Sequence, residues 1–237
     1  MKKTIKSLLQ KIGVDIIRYR HKINPFGFFK NYEVNTVIDV GANVGQFASE
    51  IRAVLPDAHI YSFEPMKECF AKLNISRKND RNFTSYNIGL GDIAGTSVIH
   101  KNSYAPSSSM LSNTELLEDA FPFTKDSTDE KIIVKTLDSI LQASNIKRNI
   151  LLKLDVQGYE EKVLRGAVNL LPHVSIVLAE TSFRALYENQ PLFSNIYNFL
   201  TEKGFEYHGG LQNKRHPKTG EILFEDSIFT RRGQVAR

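Results

Sequence analysis

The chain of 237 residues, 41% hydrophobic and 24% charged, reads as one soluble globular domain with a core of ordinary size. Its single cysteine, Cys69, excludes an internal disulfide and any cysteine-cluster metal site, which fits a reducing compartment. A formal net charge of +5 favours anionic surroundings, but no basic tract is dense, so nucleic acid is not an expected partner.

No apolar run approaches the roughly 18 to 20 residues needed to span a bilayer. The N-terminus is basic like a signal peptide, but Gln10, Lys11, Asp15 and Arg18 interrupt the apolar segment, and no small-residue cleavage site follows. A cytoplasmic protein is the expectation. From Thr4 to Arg20, Ile5, Leu8, Leu9, Ile12, Ile16 and Ile17 recur at helical spacing among lysines and arginines. Such a basic amphipathic helix packs on the main domain, lies peripherally on an anionic membrane face or contacts a partner. Asn24-Pro25-Phe26-Gly27 breaks the pattern and starts a connector, which sets residues 1–30 apart from a main domain over 31–237.

In the main domain strand and helix patterns alternate, the signature of an α/β fold with a mostly parallel sheet and helices on both faces. Val37 to Val40 is a short buried strand that runs into the turn Gly41-Ala42-Asn43-Val44-Gly45, and the helical pattern of Phe47, Ile51 and Val54 follows. His59 to Phe63 predicts a strand, Lys67 to Arg77 a helix, and Phe83 to Asn87 a strand. Thr96 to His100 and Lys131 to Val134 predict shorter strands that can pair. Leu137 to Ala143 predicts a helix, Ile150 to Leu154 a strand, Glu160 to Leu171 a helix and Val174 to Glu180 a strand. Phe193 to Lys203 predicts a helix that stops at Gly204, a glycine C-cap. Phe205 to Leu211 and Glu221 to Thr230 form a closing antiparallel hairpin. Between 101 and 130 lies a Ser-, Thr-, Asp- and Pro-rich stretch far longer than usual loops, which suggests a lid or a substrate-binding element.

Four stretches carry chemistry. The glycine turn lets a backbone approach a ligand closely, but Asn43 and Gln46 replace the later glycines of a dinucleotide turn, and Asp39 before it would repel a phosphate. Asp39, Gly41, Asn43 and Gly45 therefore suit a zwitterionic or cationic ligand. Glu64, at the carboxyl end of the second strand about twenty residues on, can accept hydrogen bonds from both hydroxyls of a ribose, with Pro65 fixing the chain direction. That fits nicotinamide dinucleotide and S-adenosylmethionine alike. The turn from Asn87 to Asp92 can read an adenine edge. Asp155 leaves the Ile150–Leu154 strand at the ligand-binding edge of the sheet, and Glu180 occupies the same edge one strand further on. Two such carboxylates can bind a divalent cation or position an acceptor hydroxyl, and no dense ligand motif supports the metal. Glu160 and Glu161 read as surface charges that complement a helix dipole. His100, His208 and His216 are further candidates for a base.

Taken in order, Val37 to Phe47, Phe63-Glu64-Pro65, Asn87 to Asp92, Val134 to Asp138, the Lys-x-Asp-x-x-Gly-x-Glu core from Lys153 to Glu160, Leu186-Tyr187 and Asp226 to Phe229 make the chain resemble the FkbM-type family of S-adenosylmethionine-dependent methyltransferases, from about Asn35 to Arg231. The resemblance implies a class I methyltransferase fold: a Rossmann-like three-layer sandwich with a seven-stranded sheet whose last strand is antiparallel. It implies S-adenosylmethionine as methyl donor and methylation of a hydroxyl on a sugar, glycan or natural product. Glu64 would then hold the ribose, Asn87 and its neighbours to Asp92 the adenine, and Asp39 with the glycine turn the methionine end. An alcohol needs a base to take its proton, and Asp155 is the first choice, Glu180 the second. Gln157 departs from the pattern, since many relatives carry glutamate there. The rival readings are an oxidoreductase or epimerase using a nicotinamide dinucleotide, for which the chain lacks a Tyr-x-x-x-Lys pair, and a non-catalytic binding module.

Overall fold

The computed structural model describes residues 24–233, so the predicted helix over 4–20 lies outside the described residues. The chain runs β1 (Thr36–Val40), α1 (Gln46–Val54), β2 (His59–Phe63), α2 (Lys67–Arg77), β3 (Phe83–Tyr86), β4 (Gly89–Leu90), β5 (Gly95–Asn102), α3 (Glu115–Ala120), β6 (Ser127–Lys135) and α4 (Leu137–Ile140). It continues through β7 (Ile150–Leu154), α5 (Glu160–Arg165), β8 (Val174–Ser182), α6 (Phe193–Glu202), β9 (Phe205–Arg215) and β10 (Ile222–Arg231). The main sheet has seven strands in the order β3-β2-β1-β7-β8-β10-β9. Pairing is parallel from β3 through to β8, and β10 is antiparallel to both β8 and β9. The expected sandwich with its antiparallel closing hairpin is therefore the observed fold. The winding reverses between β1 and β7, and the crevice beyond their carboxyl ends is where open α/β sheets bind ligands.

Every residue of β1 and of β7 is buried, because both strands are covered on both faces. Alternation assigns each side chain to a face. Ile38, Val40, Leu152 and Leu154 enter one core with Val163, Leu164, Ile196 and Leu200 from α5 and α6. Val37, Leu151, Ile176 and Leu178 enter the other, with Ala48, Ile51 and Val54 from α1. Phe26, Phe29 and Tyr32 of the connector pack into this second core around a 3₁₀ turn over Gly27–Tyr32.

Two local expectations differ from the structure. The helix expected from Glu160 to Leu171 stops at Arg165, because Gly166 lies against the backbone of Gly91, whose carbonyl oxygen is 2.0 Å from where a Cβ would sit. The chain then turns, and the Asp138 carboxylate accepts from the amides of Asn169 (2.9 Å) and Leu170 (3.0 Å). The 101–130 stretch is partly strand: β5 and β6 pair as expected but extend to Lys101↔Thr128 and Asn102↔Ser127. The remainder folds around α3, whose Leu117 and Ala120 pack on Leu186, Tyr187 and Leu223. Among the described residues no helix is long and apolar enough to cross a membrane.

Candidate active site

The turn after β1 alternates into the left-handed region at Gly41 (φ 79°), Asn43 (φ 49°) and Gly45 (φ 93°). Gly41 admits no side chain, since a Cβ there would lie 1.8 Å from the Asp155 carbonyl oxygen. Gly45 sits against Leu73 of α2, 2.8 Å from an added Cβ, so it packs the turn rather than facing the crevice.

Glu64, 3% exposed, closes this turn from β2. Its Oε2 accepts from the Asn43 amide and its Oε1 from the Met66 amide, each at 2.8 Å. Burial pushes its pKa up to about 7 against the pull of those two amides. Each oxygen retains a lone pair for a hydroxyl. Asn87 donates its amide nitrogen to the carbonyls of Glu64 and Pro65, both at 2.9 Å, so it fixes the Glu64 loop. Asp92 lies apart, paired with Lys162 at 3.1 Å.

A row of charged side chains follows on one face of the sheet. Asp39 shares the face of Val37, Lys153 that of Leu151, Glu180 that of Leu178 and Asp226 that of Ile228. Asp39 pairs with Lys153 and Glu180 with Asp226 in the strand register. Each thus continues an apolar row at the point where the sheet edge opens. The Lys153 ammonium lies 3.3 Å from Asp39 and 3.5 Å from Asp155, and donates to the Gly41 carbonyl at 3.2 Å. Burial alone would lower its pKa, but the Asp155 and Asp39 carboxylates together hold it above the usual lysine range. Burial raises the Asp39 carboxyl despite Lys153.

Gln157 joins Asp155 and Glu180. Its Nε2 donates to Asp155 Oδ1 and to Glu180 Oε1, both at 2.8 Å, and its Oε1 accepts from the Tyr187 hydroxyl at 2.7 Å. Two carboxylates on one side and a phenol on the other set the amide orientation. Gln157 itself is left-handed (φ 53°), and Ser109 donates to its carbonyl at 2.6 Å. Burial, with Asp155, Glu160 and Asp226 nearby, raises the Glu180 carboxyl well above the usual range. Burial likewise raises Asp226, whose Oδ2 accepts from Gln212 at 2.6 Å. Glu160 corrects the surface reading: it is 3% exposed, and its Oε1 accepts from the amides of Val156 (3.0 Å) and Gly158 (3.2 Å), shaping the loop that presents Gln157.

Two cavities meet at this cluster. One, of about 420 Å³, is bordered by Gly41, Asn43, Glu64, Pro65, Met66 and Ile88 to Leu90. The other, of about 810 Å³, is bordered by Tyr104, Leu117, Phe121 and Phe123 of the 103–126 segment and by Lys214 and Phe224 of the hairpin. Asp155, Gln157, Glu180, Gln212 and Asp226 border both, as do Tyr104 and Pro106. The structure thus gathers Gly41, Asn43, Glu64, Pro65, Asp155 and Glu180 at the crevice, with Asp39 buried beneath through Lys153. Gly45, Asn87 and Asp92 support or lie outside it. Among the described residues no histidine borders either cavity; His100 pairs with Asp129 (2.7 Å) and His216 with Asp119 (3.2 Å). Among the described residues no three His, Cys, Asp or Glu side chains form a metal-binding group. Sequence reasoning passed over Lys153, though a lysine within an apolar strand, two residues before Asp155, was its visible signal. It also passed over Asp226 and Tyr187 as site residues, which only the pairing of β8 with β10 and the Gln157 contact bring into the site.

Residues 39–207 match the family profile described as the methyltransferase FkbM domain. The chain is 28% identical over 181 residues to a protein of Beauveria bassiana named methyltransferase 1, covering 71% of each chain. It is 27% identical over 153 residues to the hexuronic acid methyltransferase AglP of Haloferax volcanii, covering 62% of this chain and 56% of that one. Among solved structures, TehB of Haemophilus influenzae aligns at 10% identity with a TM-score of 0.47, over 95% of this chain and 66% of that one. The matched span contains the turn, Glu64, Asp155 and Glu180, and the chain belongs to the FkbM methyltransferase family.

Proposed function

We propose that the protein transfers a methyl group from S-adenosylmethionine to a hydroxyl of a sugar or other small acceptor. The observation that carries this reading is the pair of cavities with a common wall of Asp155, Gln157, Glu180 and Asp226. A volume of about 420 Å³ lies within the range of ligand sites, and Glu64 offers a lone pair on each oxygen beside the turn that Gly41 keeps open. These residues fit the cofactor: Glu64 takes the ribose hydroxyls, Met66 and Ile88 to Leu90 border the base, and Lys153 with the Gly41 turn faces the methionine end. The cofactor, when bound, supplies a methyl group on a positively charged sulfur.

The acceptor occupies the larger cavity, where Tyr104, Phe121 and Phe123 present apolar faces to a ring. A relative named a hexuronic acid methyltransferase supports a sugar. At the wall, Asp155 is engaged by Lys153 and Gln157, and Glu180, whose Oε2 accepts no hydrogen bond among the described residues, takes the hydroxyl proton. Holding donor and acceptor in line across this wall supplies much of the rate. The test is calorimetric titration with S-adenosylmethionine, followed by incubation with labelled cofactor and cell-surface sugars. Saturable binding that Glu64→Ala abolishes, and label appearing in an ether, are expected. Tight binding of a nicotinamide dinucleotide instead would overturn the reading.

A further inference from the structure

We propose that the cluster of Glu180, Gln157 and Asp155 stores one proton in the cofactor-free protein and surrenders it when the sulfonium of S-adenosylmethionine arrives, so that the positive charge of the cofactor itself arms Glu180 as the base. The inference rests on the preceding reading, in which the reacting sulfur meets the wall between the cavities.

The argument is one of charge placement. Glu180 lies on β8 with Asp226 directly opposite on β10, Asp155 joined to it through one amide group at the end of β7, and Glu160 behind from α5. The groups facing it that are not acids are Tyr187, from the chain after β8, and Lys153. Lys153 lies within 3.3 to 3.5 Å of Asp39 and Asp155 and is spent on them. Tyr187 is a buried phenol whose burial and acidic neighbours keep it protonated. Like charges this close do not all ionise, and Glu180, which has Asp155, Glu160 and Asp226 all acting on it, is the one placed to retain a proton. A sulfonium at the wall reverses the balance, and the proton leaves to solvent. On transfer the acceptor O–H bond breaks, its oxygen bonds to the methyl, the C–S electron pair stays with sulfur and the hydroxyl proton goes to Glu180. The product state then has neutral sulfur beside protonated Glu180, which is the resting state of the cluster. Gln157 makes this possible as a positioning residue: an amide donates to both carboxylates at once, which a glutamate cannot do.

Calorimetry of the full chain in phosphate and in Tris at pH 7, whose ionisation heats differ, counts the protons. S-adenosylhomocysteine shares the ribose and the methionine end, so it cancels any proton exchanged at Glu64. S-adenosylmethionine is expected to release about half a proton or more beyond S-adenosylhomocysteine, and its Kd to fall up to about tenfold per pH unit as pH rises toward 7 while that of S-adenosylhomocysteine changes less. Glu180→Gln is expected to bind both ligands without the excess release. Equal proton counts for the two ligands, or an excess that persists in Glu180→Gln, overturn the proposal. Should that variant fail to fold, the pH slopes of the unaltered protein decide alone. If neither ligand binds, the cofactor reading fails and this proposal falls with it.

Discussion

Replacing Lys153 by methionine removes the cation that neutralises the buried end of the site. Asp39 is 0% exposed, and its Oδ1 has no hydrogen-bond partner among the described residues, leaving the ammonium at 3.3 Å as its compensation. Its other oxygen is left with one long bond from Ser62 at 3.3 Å. Methionine fills similar volume, so the loss is electrostatic rather than a cavity. Breaking a buried pair from one side costs about 3–5 kcal/mol, a large share of the total of about 5–15 kcal/mol that holds a domain folded. The Asp39 carboxyl, already raised by burial, rises further in the variant. A carboxyl raised in the folded state stabilises below its unfolded pKa and loses that contribution as pH rises, so the deficit should be greatest at neutral pH and smallest near pH 4. Urea titrations of Lys153→Met, Asp39→Asn and the double variant at both pH values form the assay. The double variant should regain at least half of the loss, because the fully buried charge is gone and Asp155, which also loses Lys153, is partly exposed and keeps its bond from Gln157. A loss below about 1 kcal/mol, or a double variant no more stable than Lys153→Met, would refute the account.

Two further expectations concern stability. Glu64 and Glu160 both have folded pKa values raised to about 7, chiefly by burial, so their contribution to stability is full below the unfolded value of 4.5 and disappears as pH rises through 7. Thermal melts between pH 5 and 7.5 should show Glu160→Gln with a smaller fall in Tm across that window than the unaltered protein, and parallel curves would count against a buried, ionising Glu160. Gly41→Ala combines a left-handed φ of 79° with a Cβ 1.8 Å from the Asp155 carbonyl, and should cost more than about 2 kcal/mol in denaturant titration. Gly220→Ala is the control: its φ of 74° is as unfavourable but nothing lies within 4 Å, so a loss near 1 kcal/mol is expected, and equal losses would show that close approach is not what Gly41 provides.

The order of elements was legible in the sequence because it depends on periodicity and local punctuation. Strands β2 and β7 and helix α2 begin and end where apolar spacing and turn residues place them, and the glycine turn with Glu64 was readable as a candidate nucleoside site. The short α5 was not legible, since it ends where Gly166 meets the backbone of Gly91, 75 positions away, and no local signal encodes that contact. Nor could sequence say that Asn87 serves the Glu64 loop, that Asp92 faces Lys162, or that Glu160 points inward. These depend on which way a side chain turns once its element is docked. The candidate site divides in the same way. Asp155 and Glu180 were visible as acids at strand ends, a position that follows from strand length alone. That they share the amide group of Gln157, with Asp226 across from one and Lys153 beside the other, was decided by the tertiary structure. The charge of each depends on burial and on neighbours brought together by strand order, and a linear sequence contains neither distance.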